Sequence, residues 1–152
     1  MNPNKPEVWE CEHDVEVNAS PEVIWALFED VPGWTRWNAG IEKIEIDGPF
    51  QVGAEFAMKP TGQPSVTSRL REVQRNVSFL DETHIGDLRI FVEHRIEVLS
   101  CSRSRVVFSL EAFGPSCDQV GPAVSADFPD VLDALRDLAE SCLVCADEEK
   151  NT

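Results

Sequence analysis

The sequence contains no tyrosine, so no phenol side chain can act as an acid, a base or a donor to an oxyanion. No window approaches the roughly eighteen consecutive apolar residues that a membrane-spanning helix needs. A Gly-rich phosphate loop, a dinucleotide-binding fingerprint and a Ser-His-Asp order are all missing. The N-terminal segment has no basic region followed by an apolar run, so no signal peptide is expected.

Basic residues are scarce, with 13 Lys and Arg against 28 Asp and Glu, and the formal net charge is −15. Phosphate backbones and anionic lipid would repel such a surface, so nucleic-acid and membrane partners are excluded. The acidity lies at the two ends: residues 1–35 hold eight acidic residues and one basic, and residues 116–152 hold nine and two. We interpret this excess as a solubilising outer surface.

The five cysteines have no regular spacing, which argues against a disulfide framework and favours a reducing, cytoplasmic setting. Cys11 and His13 share one face of a predicted strand, but a metal needs three or four ligands. The pair Cys142 and Cys145 lies at the end of a helix, where the dipole raises a thiol pKa, and it has no second pair. We predict core or near-core side chains at these positions, and no metal or cofactor.

The 152 residues fit a single domain over residues 1–146, followed by a polar tail at 147–152. Hydrophobic periodicity predicts an α+β domain with an antiparallel sheet of seven strands and a long C-terminal helix. Pro129 either begins this helix or kinks one that starts near Pro122, and the kink is slightly favoured because residues 114–128 would otherwise form a long loop. The predicted strands are 8–17, 41–47, 54–59, 65–75, 77–83, 88–99 and 105–113, with short helices at 21–29 and 34–38.

A curved sheet with one wet face must cover its other face, and only the terminal helix is large enough to do so. A sheet that grips a helix leaves a cavity between them. Side chains of Trp, Phe, Leu and Met would line this cavity, which makes it a site for an apolar ligand.

Four segments of the chain are similar to a known family in the same order and spacing. They are residues 13–25, with Ser20-Pro21 before Val23-Ile24-Trp25, then 30–37, 93–98 and 135–140. Together they resemble the polyketide cyclase/dehydrase branch of the START-like (Bet v 1-like, helix-grip) superfamily, from about Val8 to Glu140. The resemblance implies the helix-grip fold. Members bind lipids, sterols, polyketides, quinones or plant hormones, and some cyclise or dehydrate a polyketide.

His94 and Asp81 are the candidate catalytic residues. His94 lies mid-strand among apolar residues on the face assigned to the cavity, where an imidazole could act as a general base or bind a ligand oxygen. The alternative is a core histidine bonded to the backbone or to a neighbouring side chain. Asp81 is the one acidic residue on the inward face of its strand, where burial would raise its pKa, although a register slip at Asn76 would turn it outward.

The main functional prediction is a small-molecule binding protein whose partner is an apolar, polyketide-, lipid- or aromatic-like ligand. One alternative is a polyketide cyclase or dehydratase that uses the same cavity with His94 as its base. Another is a chaperone-cofactor-like interaction module that uses the acidic termini. A monomer or a homodimer is compatible with the sequence. The predicted ligand-binding residues are Trp37 (a stacking wall or, like Trp34, a packing plug), Phe56, Met58, Phe79, His94, Phe108 and Leu135.

Overall fold

The computed structural model describes residues 7–150, with side chains described for residues 7–142. Seven strands form one antiparallel sheet in the order β1-β7-β6-β5-β4-β3-β2. Most of the strands alternate apolar and polar residues, which suits a sheet with one buried face. The strands are β1 (Val8–Val17), β2 (Ile41–Asp47), β3 (Glu55–Pro60), β4 (Val66–Gln74), β5 (Ser78–Ile85), β6 (Leu88–Ser100) and β7 (Arg103–Phe113).

Two short helices connect β1 to β2. Helix α1 (Pro21–Glu29) begins after Ser20, and Pro21 occupies its first position, where a missing N–H costs nothing. A 3₁₀ helix (Val31–Arg36) follows directly. The predicted second helix at 34–38 is therefore displaced toward the N-terminus, because Pro32 suits the first turn of a helix as well as it ends one.

Two further helices follow the sheet: α2 (Cys117–Ser125) and α3 (Phe128–Lys150). The favoured prediction of one helix kinked at Pro129 is wrong. The chain leaves α2 at Ser125, and Pro129 lies in the first turn of α3, a position at which proline is tolerated because its missing N–H has no helical partner there.

Helix α3 lies along the inner face of the sheet, which confirms the α+β helix-grip prediction. Val131, Leu132, Leu135 and Ala139 are buried on its inward side. The backbone N–H of Asn18 donates to the Glu140 carboxylate and fixes the helix to the end of β1. The helix continues to Lys150, through most of the predicted polar tail, and residues 151–152 lie outside the described part. None of the described helices is long and apolar enough to cross a membrane.

Side chains of the inner face form three rows across the sheet, as the strand register shows. Together the rows bring residues far apart in sequence onto one surface. The first row is His13, Phe108, His94, Phe79 and Val73; the second is Cys11, Leu110, Val92, Asp81 and Leu70; the third is Trp9, Ala112, Ile90, Thr83, Ser68 and Phe56.

The outer face of the same sheet carries a network of ion pairs. The Arg105 guanidinium lies between the carboxylates of Asp14, Glu16 and Glu97. Arg95 bridges Glu93 and Glu97. Basic residues of the near-neutral middle thus pair both with acidic residues of β1 and with acidic residues of β6.

Candidate functional site

Three buried polar residues lie next to one another on the inner face of β4, β5 and β6. Of the five buried polar residues among those described, two have structural roles, because Ser104 donates to the carbonyl of Ala19 and Ser125 donates to that of Gly121. The other three are Ser68, Asp81 and His94. Polar groups are rarely left in a core without a use, so these three mark the candidate site.

The His94 ring lies within a set of aromatic rings. It stacks on Phe79, with 4.0 Å between the ring centroids and 8° between the planes, and Phe108 meets it edge-on at 4.6 Å. Phe28 of α1 and Trp34 of the 3₁₀ helix lie 6.1 and 6.4 Å away. The Nδ1 atom of His94 is buried and has no hydrogen-bond partner among the described residues. Backbone groups of Phe79 and Val92 interact with the ring and oppose the fall in its pKa, as expected for the alternative of a core histidine bonded to the backbone, whereas Nδ1 itself makes no hydrogen bond to any described residue.

Asp81 lies beside His94, with 3.9 Å between its Oδ2 and the Nδ1 of His94. This distance exceeds a hydrogen bond. Burial raises the pKa of Asp81 to about 7 and lowers the pKa of His94 to about 3. Between about pH 3 and pH 7 the proton therefore lies on the carboxyl rather than on the imidazole, so the two groups do not form an ion pair. The register slip considered at Asn76 does not occur, and Asp81 faces inward opposite Val92.

The two tryptophans of the segment between β1 and β2 differ in whether the indole N–H has a hydrogen-bond acceptor. Trp34 donates its Nε1–H to the carbonyl of Phe28 at 2.8 Å. Trp37, whose ring is 5.7 Å from Trp34 and 6.3 Å from Phe28, has a buried Nε1–H with no described partner. Because an indole N–H in a core normally finds an acceptor, the Trp37 Nε1–H is an open donor, and its ring shares the neighbours Phe28 and Trp34 with His94.

The predicted wall residues face the interior. Met58 of β3 is half-buried and packs against the core, and the other predicted wall residues are buried. Phe79 contacts the rings of Phe28, Trp34 and His94, and Phe108 contacts His94 from the other side, so rings enclose the imidazole. A ligand must move some of these rings apart. The buried wall residues are Trp37, Phe56, Phe79, Phe108 and Leu135.

A depression of about 420 Å³ lies on the outer face of β3, β4 and β5. Its charged groups are already paired, Arg69 with Glu55 and Arg71 with Glu82. His84 also contacts Glu82, and this hydrogen bond is the main reason that the pKa of Glu82 is lowered. The charged side chains that line this depression are therefore paired with one another, and none of them needs a ligand to satisfy its charge.

The sequence analysis missed Ser68 and Thr83, whose hydroxyl oxygens are 2.5 Å apart on the inner face. The alternation of β4, with Ser68 and Leu70 on one face, was the available signal. The many polar residues of that strand concealed it, since a serine on a polar strand is normally exposed.

The described cysteine and histidine candidates outside this site do not cluster with further metal-ligating side chains. Cys11 and His13 are half-buried on β1, and His13 meets Phe128 edge-on. No group of three possible metal ligands occurs in the described part of the chain. Cys142 is exposed, so the prediction of a near-core position is wrong for it, and the side chain of Cys145 lies outside the described residues.

Comparison with solved structures places this geometry among known proteins. Zhui aromatase/cyclase from Streptomyces sp. R1128 matches with a TM-score of 0.74 and 19% identity, covering 88% of this chain and 94% of that one. A START superfamily protein from Mycobacterium smegmatis matches with a TM-score of 0.71 and 18% identity over 88% and 98%. A norcoclaurine synthase point mutant from Thalictrum flavum, in complex with a transition-state analogue, matches with a TM-score of 0.73 and 16% identity over 90% and 97%.

At these identities the structural matches establish the fold. The search of curated proteins found no match. The family model for polyketide cyclase / dehydrase and lipid transport matches residues 8–140, which include every strand and most of α3. The chain therefore belongs to the polyketide cyclase / dehydrase and lipid transport family and has its START-like, Bet v 1-like fold.

Proposed function

We propose that this protein binds a small, largely apolar, ring-bearing ligand between the inner face of the sheet and α3. In this complex a polar atom of the ligand contacts His94 Nδ1, Asp81 and Trp37 Nε1. The supporting observation is that two buried polar atoms, His94 Nδ1 and Trp37 Nε1, have no described partner within one ring-lined interior. Each buried unpaired group costs about 1–3 kcal/mol, and a ligand oxygen would recover that cost.

The lining favours a flat ligand. Phe28, Trp34, Phe79 and Phe108 meet their neighbours edge-on or stacked, which are the arrangements that aromatic ligands also adopt. The similar proteins include an aromatase/cyclase and a synthase bound to a transition-state analogue, and we extend the idea of a ring-bearing ligand to this chain.

The test is a calorimetric titration with 2-naphthol, a neutral ring compound with one hydroxyl, followed also by tryptophan emission. Wild-type protein should bind one equivalent and lose emission. His94→Leu should weaken binding about tenfold, the effect of one lost hydrogen bond to a buried group. His84→Leu, which changes an exposed histidine two residues from Glu82, is the matched control and should bind as wild type. The absence of saturable binding by wild type would contradict the proposal.

The second candidate function is an enzyme of the cyclase or dehydratase type, and the protonation of the pair supports it. With a pKa lowered to about 3, His94 would be a weak base, contrary to the role predicted for it. Asp81, with a pKa raised to about 7, is suited to accept a proton at neutral pH. His94 Nδ1 would then hold the substrate oxygen beside that carboxyl.

Proton abstraction from the carbon next to a carbonyl is the first step of an aldol-type cyclisation. An assay of that step therefore tests whether the protein is an enzyme. Exchange of the α-hydrogens of 2-tetralone in D₂O can be followed by proton NMR. An enzyme should accelerate the exchange, and Asp81→Asn should reduce the rate about a hundredfold or more. Exchange at the buffer rate by folded wild-type protein that still binds 2-naphthol would leave binding as the function.

A further inference from the structure

Ser68 and Thr83 lie next to the proposed ligand site and are not used by it. Their hydroxyl oxygens are 2.5 Å apart, across the register pair that joins β4 and β5. Ser68 is 4% exposed, and Thr83 is half-buried. A pair of hydroxyls at this depth is uncommon on the inner face of a sheet whose other positions are mostly apolar.

The hydroxyl pair has unused hydrogen-bonding capacity. Two hydroxyl groups offer two donor hydrogens and four lone pairs. The bond between them uses one donor and one lone pair, and no other side-chain hydrogen bond involves Ser68 or Thr83 in the described residues. One donor and three lone pairs therefore stay available to a ligand oxygen or to water.

The strand geometry fixes the distance between Asp81 and the hydroxyl pair of Ser68 and Thr83. Asp81 and Thr83 are two residues apart on β5 and face the same side, since one pairs with Val92 and the other with Ile90 on the next strand. Two residues of strand span about 7 Å. The inward side chains that flank the two polar points across the strands are Leu70, Ile90 and Val92, all buried and apolar.

We propose that the hydroxyls of Ser68 and Thr83 form a second polar subsite of the proposed ligand site. They would receive an oxygen that lies roughly 7 Å from the oxygen held by Asp81 and His94. The preferred ligand is then an elongated, apolar ring compound with hydroxyl or carbonyl oxygens at both ends. This inference depends on the proposed ligand site, because the first oxygen fixes the ligand against which the second is measured.

The experiment compares three naphthalene ligands by calorimetry: 2-naphthol, 2,6-dihydroxynaphthalene with oxygens at opposite ends, and 2,3-dihydroxynaphthalene with adjacent oxygens. Wild-type protein should bind the 2,6-diol about tenfold more tightly than 2-naphthol, through one further hydrogen bond to a buried group. The 2,3-diol should gain nothing, because its second oxygen cannot reach Ser68 and Thr83.

The variants locate the effect. The double variant Ser68→Ala and Thr83→Val removes both hydroxyls together, so no buried hydroxyl loses its partner, and it should abolish the preference for the 2,6-diol. Thr83→Ser keeps the hydroxyl and should keep the preference. Thr67→Val changes the exposed neighbour on the outer face of β4 and is the control. Urea unfolding of each variant checks that it folds.

The outcomes separate the two proposals. If 2-naphthol binds and the 2,6-diol binds no better, or if the preference survives in the double variant, the subsite is overturned while the ligand site stands. If none of the three compounds binds to wild-type protein, the proposed ligand site itself fails. If wild-type protein prefers the 2,6-diol to 2-naphthol, and only the double variant loses this preference, the result supports both the ligand site and the subsite.

Discussion

The polar side chains on the two faces of the sheet differ in whether they have partners. In β6 the consecutive residues Glu93, His94 and Arg95 point out, in and out. Outside, the Arg95 guanidinium bridges Glu93 and Glu97 at the surface. Inside, His94 is buried and its Nδ1 has no described partner.

This difference separates polar groups that stabilise the fold from polar groups that a ligand would use. Exposed ion pairs contribute about 0–1 kcal/mol each because water competes for the same groups. A buried unpaired group instead costs about 1–3 kcal/mol. The outer face can therefore be changed at little cost, whereas the polar groups of the inner face lower stability and imply a function. The following predictions test that separation.

The largest expected effect comes from Phe79, which is fully buried and contacts His94, Trp34 and Phe28. Phe79→Ala should lower the free energy of unfolding by about 3–5 kcal/mol, because it removes buried surface and leaves a cavity. Urea denaturation measures it. A loss below 1 kcal/mol would show that the rings are loosely packed. In that case a ligand could enter without displacing them.

The next effect is on the pH dependence of stability. The raised pKa of Asp81 means that the folded protein binds more protons than the unfolded chain between pH 3.8 and about 7, so this group makes the free energy of unfolding fall as pH rises. The lowered pKa of His94 does the reverse between about pH 3 and 6.5. In wild-type protein the two contributions largely oppose each other.

Single variants should separate them. Relative to wild type, Asp81→Asn should become more stable as the pH rises from 3.8 to about 7. His94→Leu should become more stable relative to wild type as the pH falls from 6.5 to about 3. Each change should amount to a few kcal/mol, since one pKa unit corresponds to about 1.4 kcal/mol. Urea unfolding between pH 4 and 7.5 measures them, with Thr67→Val, a change at an exposed residue that does not titrate, as control. Parallel curves for both variants and wild type would mean that neither group is desolvated.

A smaller effect should distinguish packing from hydrogen bonding at Trp37. Trp37→Phe keeps a ring and removes the unpaired Nε1–H. Stability should change by less than about 1 kcal/mol, because the lost packing is offset by the loss of a buried unpaired donor. The affinity for 2-naphthol should fall about tenfold. Unchanged affinity would assign Trp37 to packing alone.

The smallest effect is expected on the outer face. Arg105→Met removes contacts with Asp14, Glu16 and Glu97, yet its free energy of unfolding should change by at most about 1 kcal/mol. The change should shrink further in 0.5 M NaCl, because salt screens exposed charges. A large, salt-insensitive loss would contradict the separation of the two faces.

The sequence predicts the fold well because its signal is local. Strict alternation in β1 and β6 and the Ser20-Pro21 helix start determine these elements within the segment itself. The interpretation of Pro129 is wrong because proline is compatible with both a kink and a first turn, and the choice depends on how α2 and α3 each pack on the rest of the fold, which no local pattern contains.

The site is predicted less completely because it depends on register. The inward positions of His94 and Asp81 follow from alternation, but their 3.9 Å approach follows from the pairing of β5 with β6. Ser68 joins them only through the pairing of β4 with β5. The shift in the pKa of His94 likewise comes from rings on four different elements, which no local pattern contains.

The central claim is that the unpaired polar atoms of the inner face bind the ligand. The most direct test is the indole N–H region of the ¹⁵N-labelled protein by NMR, with the Trp37 signal assigned from Trp37→Phe. Added 2-naphthol should move the Trp37 Nε1–H signal downfield, as a new hydrogen bond requires, while naphthalene should not and the Trp9 signal should stay in place. A Trp37 signal that is unmoved by saturating 2-naphthol, or that moves equally with naphthalene, would contradict the claim.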